Sequence, residues 1–265
     1  MRPAAAARSR SSSMRAELLG GEQGQRQPAI AVLEHPIQDP RADARDEHRW
    51  NPRGLGPGPS GLTRIVLTPC ERAEIIVSLT AGETVTLRSY PQNLGVSASR
   101  AQSAGAADEL DILQLTAAAT LRPSPTLPAR LGAAPALDPA DAVKTRSFEL
   151  GNNHINGKRM DMSRIDATIT VDTTEVWDVV NMHSQPHNFH IHDVQFQILS
   201  INGVAPPPEL AGWKDTVYTP PAVSFRLIMR FSRYTNPVLP YMYHCHLLWH
   251  EDQGMMGQSV VVDGE

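Results

Sequence analysis

The residues best equipped for chemistry lie near the C-terminus, where a thiol, three imidazoles and a thioether occur close together. The chain has His244-Cys245-His246, then His250, then Met255. These ligand types suit copper, and two imidazoles with one thiolate and a weak, distant thioether describe a blue-copper centre. Cys245, His250 and Met255 therefore supply three of the four groups that such a centre needs. In an extended segment His244 and His246 point away from the face that carries Cys245, so we expect them to face a second metal.

A second histidine cluster lies about 50 residues upstream, in the stretch 187–192. With strand geometry His190 and His192 share one face, whereas His187 lies an odd number of residues from both and faces elsewhere. We therefore predict that His187 completes the blue-copper set and that His190 and His192 join the second site. The separation of the two clusters suits strands that meet again in a sandwich.

Two other uses of these residues fit the sequence less well. A structural zinc site needs four tetrahedral nitrogen or sulfur ligands with Cys or His pairs at close spacing, which one Cys among six His and a Met fits poorly. The chain has two cysteines, so a Cys70–Cys245 disulfide is the one bridge that they allow. The histidines on both sides of Cys245 favour a ligand thiolate instead. Cys70, with no ligand partner nearby in the sequence, is interpreted as an incidental free thiol.

Together the two clusters resemble the C-terminal signature of the multicopper oxidases, which include laccases, bilirubin oxidases and bacterial cuprous oxidases. That signature is His-x-x-His-x-His followed by His-Cys-His-x-x-x-His-x-x-x-x-Met, and both parts are present here. Segments 211–217 and 241–248 are also similar to the bacterial periplasmic members. The resemblance implies His187, Cys245, His250 and Met255 on a type 1 copper, His190 on a type 2 copper, and His192, His244 and His246 on a type 3 pair.

The resemblance implies a function as well. Members oxidise a small reducing substrate, phenolic or a metal ion, at the type 1 copper and reduce O2 to water at the type 2/type 3 cluster, in the periplasm or outside the cell. Glu251 matches a family position associated with proton delivery to the oxygen site. Asp252 and Asp215 are candidates for orienting ligands or for the substrate edge, with a solvated loop charge as the alternative. His183 and Asn188 depart from the family pattern, which has an acidic residue and a proline at these positions in some members.

Half of the family's cluster is not found in this sequence. The cluster takes eight imidazoles, four of them from two His-x-His pairs in the first domain, and no such pair precedes His190 here. We therefore expect oxygen reduction only where another chain supplies the missing ligands. The alternatives are a stand-alone blue-copper domain that binds copper or transfers electrons without reducing O2, and a non-functional truncated gene.

Composition narrows the class of protein. The chain has 265 residues, enough for one or two domains, and its 18 glycines, 22 prolines and 5% aromatic residues suit loop-rich β structure. A net charge of −4 gives no reason to expect a nucleic-acid partner. No run of 18 apolar residues predicts a membrane span, and no apolar core of a secretory signal is recognisable.

The expected fold is all-β, a cupredoxin-like Greek-key β-sandwich with a partial second cupredoxin domain. Residues 1–60 lack hydrophobic periodicity, which predicts disorder. The segments after residue 60 contain short runs in which apolar and polar residues alternate. We predict a disordered low-complexity segment at 1–60, a remnant of the second cupredoxin domain at 61–120, a Pro/Ala-rich linker at 121–144 and the copper-binding cupredoxin domain at 145–265.

Overall fold

The computed structural model describes residues 5–8, 14–19, 29–32, 60–62, 64–77, 79–103, 106, 108–122, 135–232 and 234–264. Regular structure in these residues is almost entirely β-strand, which confirms the all-β prediction. None of the helices in these ranges is long and apolar enough to cross a membrane.

The N-terminal half forms two four-stranded sheets over a small core made of Leu67, Ala73, Val85 and Leu87. The strands are β1 (Ala5–Arg8), β2 (Met14–Leu19), β3 (Ala29–Val32), β4 (Ser60–Leu62), β5 (Arg64–Leu67), β6 (Glu74–Val77), β7 (Thr84–Tyr90) and β8 (Asp111–Thr116), with helix α1 (Ala98–Ser103) between β7 and β8. Their orders are β1-β6-β3-β4 and β5-β2-β7-β8.

Strands β1, β2 and β3 fall in the segment 1–60, which the sequence predicts to be disordered. β2 lies between β5 and β7, and β6 lies between β1 and β3. Backbone N–H and C=O groups along an open strand edge need partners, and these short strands supply them. Block 61–120 therefore shares both of its sheets with the segment before it. The rest of 1–60 lies outside the described residues.

The predicted linker 121–144 is described only at its two ends. Residues 123–134 lie outside the described part of the chain. Pro139–Asp141 form a 3-10 turn, which the Asp138 carboxylate caps by accepting a 2.8 Å hydrogen bond from the N–H of Ala140. The first strand of the C-terminal domain starts at Ala142, three residues before the predicted boundary, because it pairs in parallel with a later strand that reaches back to Thr174.

The C-terminal half is a sandwich of a five-stranded and a four-stranded sheet. Its strands are β9 (Ala142–Leu150), β10 (Ala167–Thr170), β11 (Thr173–Asn181), β12 (His187–Ile191), β13 (Phe196–Ile201), β14 (Thr216–Thr219), β15 (Ser224–Phe231), β16 (Asn236–His244) and β17 (Met256–Val262), with helix α2 (Leu248–Asp252) between β16 and β17. The sheets have the orders β10-β17-β16-β12-β14 and β13-β15-β11-β9.

An aromatic cluster fills the space between these two sheets. Trp177 is fully buried, and its ring centroid lies 4.5 Å from that of Phe148 and 5.8 Å from that of Tyr243. The indole N–H of Trp177 donates a 2.9 Å hydrogen bond to the buried carboxylate of Glu175, which is itself paired with Arg146 at 2.6 Å. The Trp177 indole and the Glu175 carboxylate are thus both paired, as most buried polar groups are. Tyr243 directly precedes His244, so this core fixes the end of β16.

The strand register brings the two histidine clusters together. β12 lies between β14 and β16, and His190 pairs with His244 on one side and with Thr216 on the other. His244 in turn pairs with Met256 of β17. Histidines that are more than 50 residues apart in the chain therefore become neighbours across one sheet.

The loop between β5 and β6 packs against the C-terminal half. Lys214 and Glu71 form a buried ion pair with 2.8 Å between Nζ and Oε1. The segment after β7 also contacts this half, because the hydroxyl of Tyr218 donates a 2.9 Å hydrogen bond to the carbonyl of Leu94. The N-terminal half therefore contacts the sheet that carries the histidines.

Candidate metal centres

The first candidate centre consists of His187, Cys245 and His250, all three buried. His187 is the first residue of β12, Cys245 directly follows β16, and His250 lies in α2. The Cys245 Sγ atom lies 3.8 Å from His187 Nδ1 and 3.6 Å from His250 Nδ1, and the two Nδ1 atoms are 3.1 Å apart. The point equidistant from these three atoms is about 2 Å from each, close to the length of a metal–nitrogen bond. The space between these three atoms therefore has the size that a bound metal ion needs.

Met255, the predicted axial ligand, is fully buried beside this triangle. Its carbonyl accepts a 3.1 Å hydrogen bond from the N–H of Cys245, and its own N–H donates a 3.0 Å hydrogen bond to the carbonyl of His250. The backbone thus ties Met255 to two of the other three residues. The structure brings together all four residues of the predicted blue-copper set.

Burial controls the protonation of the first centre. Burial lowers the pKa of His187 to about 3, with a further contribution from the nearby His250, so the imidazole is neutral at pH 7. Burial raises the pKa of Cys245 to about 12, so the thiol keeps its proton until a cation is close to it. Neutral imidazole and thiolate are the forms that bind metal, and metal binding must therefore release the thiol proton.

The second candidate centre consists of His190, His192 and His244, whose ligand atoms lie within 4.8 Å of one another. The Nε2 atoms of His192 and His244 are 3.1 Å apart. The ring of His246 is next to this group, with its centroid 5.4 Å from that of His190 and 5.1 Å from that of His244. The four imidazoles predicted for the second site are therefore together, and Cys245 lies between two of them in the chain.

Glu251 connects two of these imidazoles. Its Oε2 atom lies 3.4 Å from Nδ1 of His244 and 3.8 Å from Nδ1 of His246. A carboxylate beside Nδ1 favours the proton there and leaves Nε2 as the metal-binding nitrogen. Asp252, by contrast, is exposed at the end of α2 and has no hydrogen bond or ion pair with any described residue.

Cys70 was predicted to lack ligand neighbours, and the structure shows that this is wrong. Its Sγ atom lies 3.9 Å from Nδ1 of His190, and its backbone has a positive φ of 72°. Burial by itself would raise its pKa, but the contacts with His190 and His246 outweigh burial and lower the pKa to about 6. The contact with Cys70 raises the pKa of His246 to about 9. Sequence reasoning missed these contacts because they depend on the packing of the two halves.

Asp215 and His183 also lie beside ligand residues. The carbonyl of Asp215 is 3.0 Å from Nδ1 of His190, and its carboxylate is paired with Arg72. The ring of His183 is half-buried, with its centroid 5.8 Å from that of His187. The backbone carbonyl of Asp215 is therefore within hydrogen-bond distance of a predicted ligand, and a role of its carboxylate in orienting that ligand stays a prediction.

Comparison with known families decides the affiliation of the chain. Residues 132–265, about half of the sequence, match the family model described as "Multicopper oxidase". The chain belongs to the multicopper oxidase family. Membership of this family implies copper binding. The candidate ligands are the two groups described above, one of two histidines with a cysteine and one of three histidines.

The curated relatives of this chain include both cell division proteins and a multicopper oxidase. The cell division protein FtsP of Dickeya dadantii is 36% identical over 221 residues, which cover 79% of this chain and 44% of FtsP. The multicopper oxidase mco of Staphylococcus haemolyticus is 40% identical over 116 residues, which cover 42% of this chain and 25% of that protein. The chain thus spans less than half the length of these relatives.

Solved structures of multicopper oxidases have the same fold. A multi-copper oxidase from Pediococcus acidilactici superposes with a TM-score of 0.74 at 26% identity, covering all of this chain and 50% of that one. A laccase-like multi-copper oxidase from Ochrobactrum sp. superposes with a TM-score of 0.71 at 27% identity, covering 97% of this chain and 53% of that one. These similarities confirm the predicted cupredoxin-like fold.

Proposed function

We propose that this chain is a copper-binding oxidoreductase of the multicopper oxidase type whose first centre is a type 1 copper site. The observation that carries the proposal is the convergence of two Nδ1 atoms and one thiol on a single point in a buried position. Such a His2Cys set with a buried methionine beside it is the ligand set of blue-copper sites. The ligands would be His187, Cys245, His250 and Met255.

Copper bound at the two centres would supply one-electron chemistry, taking electrons from a small phenolic or metal-ion substrate and delivering them to a type 2/type 3 cluster where O2 is reduced to water. The chain contributes a short covalent connection between the centres. Cys245 belongs to the first, and its neighbours His244 and His246 belong to the second. Electrons that leave the first centre through Cys245 would therefore reach the second centre through either of the two neighbouring histidines.

Glu251 is the proposed proton-delivering residue of the second centre. It is half-buried in α2, and its Oε2 atom is buried without a hydrogen-bond partner among the described residues. Its position within 4 Å of the Nδ1 atoms of His244 and His246 places an acceptor for protons at the edge of the imidazole group. Asp252, which the sequence offers as a residue that orients a ligand or lies at the substrate edge, is one residue further on, and its exposure favours a role at the surface.

The oxidase proposal requires ligands beyond those described. The second centre has four imidazoles here, His190, His192, His244 and His246, where the resemblance implies eight. We propose that the other four come from another chain or from a longer form of the protein. The periplasm or the cell exterior, where the family works, is the corresponding location.

A second candidate function is a blue-copper domain that binds copper or transfers electrons without reducing O2. The incomplete imidazole set of the second centre favours it, because the first centre needs no residue from outside the described chain.

Copper loading with three readouts tests both candidates. The full chain is purified with Cu(II), and its visible spectrum, copper content and O2 uptake with a phenolic donor are measured. An intense thiolate-to-copper band with one copper per chain supports the blue-copper domain. The same band with about four coppers per functional unit and O2 uptake supports the oxidase. Absence of the band would contradict both.

A further inference from the structure

The tautomer of His190 decides which of its two ring nitrogens is available to the second centre. A neutral imidazole has one N–H donor and one lone-pair nitrogen, and only the second can be a ligand. Nδ1 of His190 lies 3.0 Å from the carbonyl oxygen of Asp215 and 2.9 Å from Oγ1 of Thr216. A carbonyl oxygen only accepts, whereas a hydroxyl can donate or accept. The carbonyl by itself thus favours a proton on Nδ1. The hydroxyl favours the same proton if it accepts from Nδ1 and disfavours it if it donates to Nδ1.

The carboxylate of Asp215 determines which way the hydroxyl points. Oγ1 of Thr216 lies 2.8 Å from Oδ1 of Asp215. An ionised carboxylate has no proton to give, so the hydroxyl must donate to it and turn its lone pairs toward His190. The Asp215 carbonyl and the Thr216 hydroxyl then both accept at Nδ1, which stabilises the tautomer with the proton on Nδ1 and the lone pair on Nε2.

Arg72 keeps that carboxylate in place. Its guanidinium forms an ion pair with Oδ2 of Asp215, and its Nη1 atom donates a 2.6 Å hydrogen bond to the carbonyl of Cys70. Asp215 is only 8% exposed, and the ion pair with Arg72 offsets the cost of burying its carboxylate. Arg72 belongs to the loop between β5 and β6, in the half of the chain that contains none of the predicted copper ligands.

We propose that Arg72 is a positioning residue for the second centre. Through Asp215 and Thr216 it fixes the tautomer of His190 with the proton on Nδ1, so that Nε2 is the lone-pair nitrogen available to the centre. This inference rests on the proposed function, since it assigns His190 as a ligand. Hydrogen bonds of this kind to the far nitrogen of a ligand histidine contribute about 10- to 100-fold in metal affinity or activity.

The tautomer can be observed without metal. Long-range 1H–15N spectra of the full, metal-free chain with 15N-labelled histidine separate the two tautomers at pH 7.5, and His190→Gln assigns the signal. We expect a signal from Nδ1–H only in the wild type, a mixture with Nε2–H in Arg72→Gln, and restoration in Arg72→Lys, which keeps the cation. Thr216→Val, which leaves the ion pair intact, should shift the signal in the same direction as Arg72→Gln because one acceptor at Nδ1 is lost.

A metal titration gives the second readout. Co(II) alone is added while the broadening of the His190 and His187 signals is followed separately. In Arg72→Gln the Co(II) affinity of the second centre should fall about tenfold while that of the first is unchanged. The matched control is Glu71→Gln/Lys214→Gln, which removes the neighbouring ion pair between the halves without touching His190.

The outcomes separate this inference from the proposed function. An unchanged Nδ1–H signal in both Arg72→Gln and Thr216→Val would overturn it, as would an equal loss in the Glu71/Lys214 control, which would indicate general loosening. A missing blue band in the copper-loaded wild type would contradict the proposed function and leave the tautomer result standing.

Discussion

His187 and His250 are 63 residues apart in the chain, yet their Nδ1 atoms lie 3.1 Å apart. In a metal-free protein this contact is one hydrogen bond between two neutral imidazoles. The thiol of Cys245 is within 4 Å of both atoms, so the same arrangement is a set of three ligands once the thiol loses its proton and the proton held between the two Nδ1 atoms moves to an Nε2 atom. The first centre is therefore formed by the fold before any metal binds, and the predictions below depend on that arrangement.

Cys245→Ser should abolish the intense visible band of the copper-loaded protein, since the band requires a thiolate ligand. The matched control is Cys70→Ser, which removes the chain's other thiol at a position that contacts His190 rather than the first centre. We expect the control to keep the band at full intensity. A visible spectrum after Cu(II) addition checks both variants, and a band that depends on Cys70 would show that the first centre is wrongly assigned.

Acid should destabilise the metal-free protein through its buried imidazoles. Burial lowers the pKa of His187 and of His244 to about 3 from an unfolded value near 6.5. The unfolded chain therefore binds more protons below pH 6.5, so the stabilisation is complete above that pH and is lost as the pH falls toward 3. We expect each imidazole to lower the free energy of unfolding by about 3 kcal/mol between pH 6.5 and pH 4.

Urea unfolding at a series of pH values measures this loss. His187→Asn removes one of these imidazoles and should reduce the loss between pH 6.5 and pH 4 by about 3 kcal/mol. A free energy of unfolding that stays constant from pH 7 to pH 4 in the wild type would contradict the prediction.

Asn188→Ala should destabilise the chain because one fully buried side chain makes three hydrogen bonds. Its Nδ2 donates to Oγ1 of Thr68 at 3.1 Å and to the carbonyl of Pro69 at 3.0 Å, and its Oδ1 accepts from the N–H of His246. We expect a loss of about 2–4 kcal/mol in the free energy of unfolding, since buried partners are left unpaired. Asn236→Ala, whose side chain caps a partly exposed turn, is the control and should cost about 1 kcal/mol or less. Equal losses in the two variants would contradict a special role for Asn188.

Gly257→Ala should disturb the end of β16. A Cβ atom at this position would lie 2.3 Å from the hydroxyl oxygen of Tyr243, whose ring is packed in the aromatic core beside His244. We expect a loss of about 1–3 kcal/mol from overpacking. Gly264→Ala, where the nearest atom is the Cγ2 of Thr170 at 3.4 Å, is the control.

A double-mutant cycle with Tyr243→Leu tests the cause of that loss. The Gly257→Ala penalty should be smaller by about 1 kcal/mol or more once the tyrosine ring is gone. An unchanged penalty would show that the strain lies elsewhere.

The candidate ligand residues could be predicted from the sequence because strand geometry is local. Successive side chains alternate faces, so the spacing of His187, His190 and His192 separates them into two groups, and Cys245 separates from its neighbours in the same way. The structure places these residues in the same two groups. Residue type then selects the metal, because thiolate, imidazole and thioether together favour copper.

The tertiary structure decided what surrounds those ligands. The contact of Cys70 with His190, and the path from Arg72 through Asp215 to His190, join residues that are more than 100 positions apart. The strands in the first segment likewise exist because other strands offer unpaired edges, which no local pattern records. The sequence alone determined which residues are candidate copper ligands, because residue type and alternation are properties of the chain. Only the packing of one half against the other determined how those atoms are oriented, because hydrogen bonds and burial depend on distances in space.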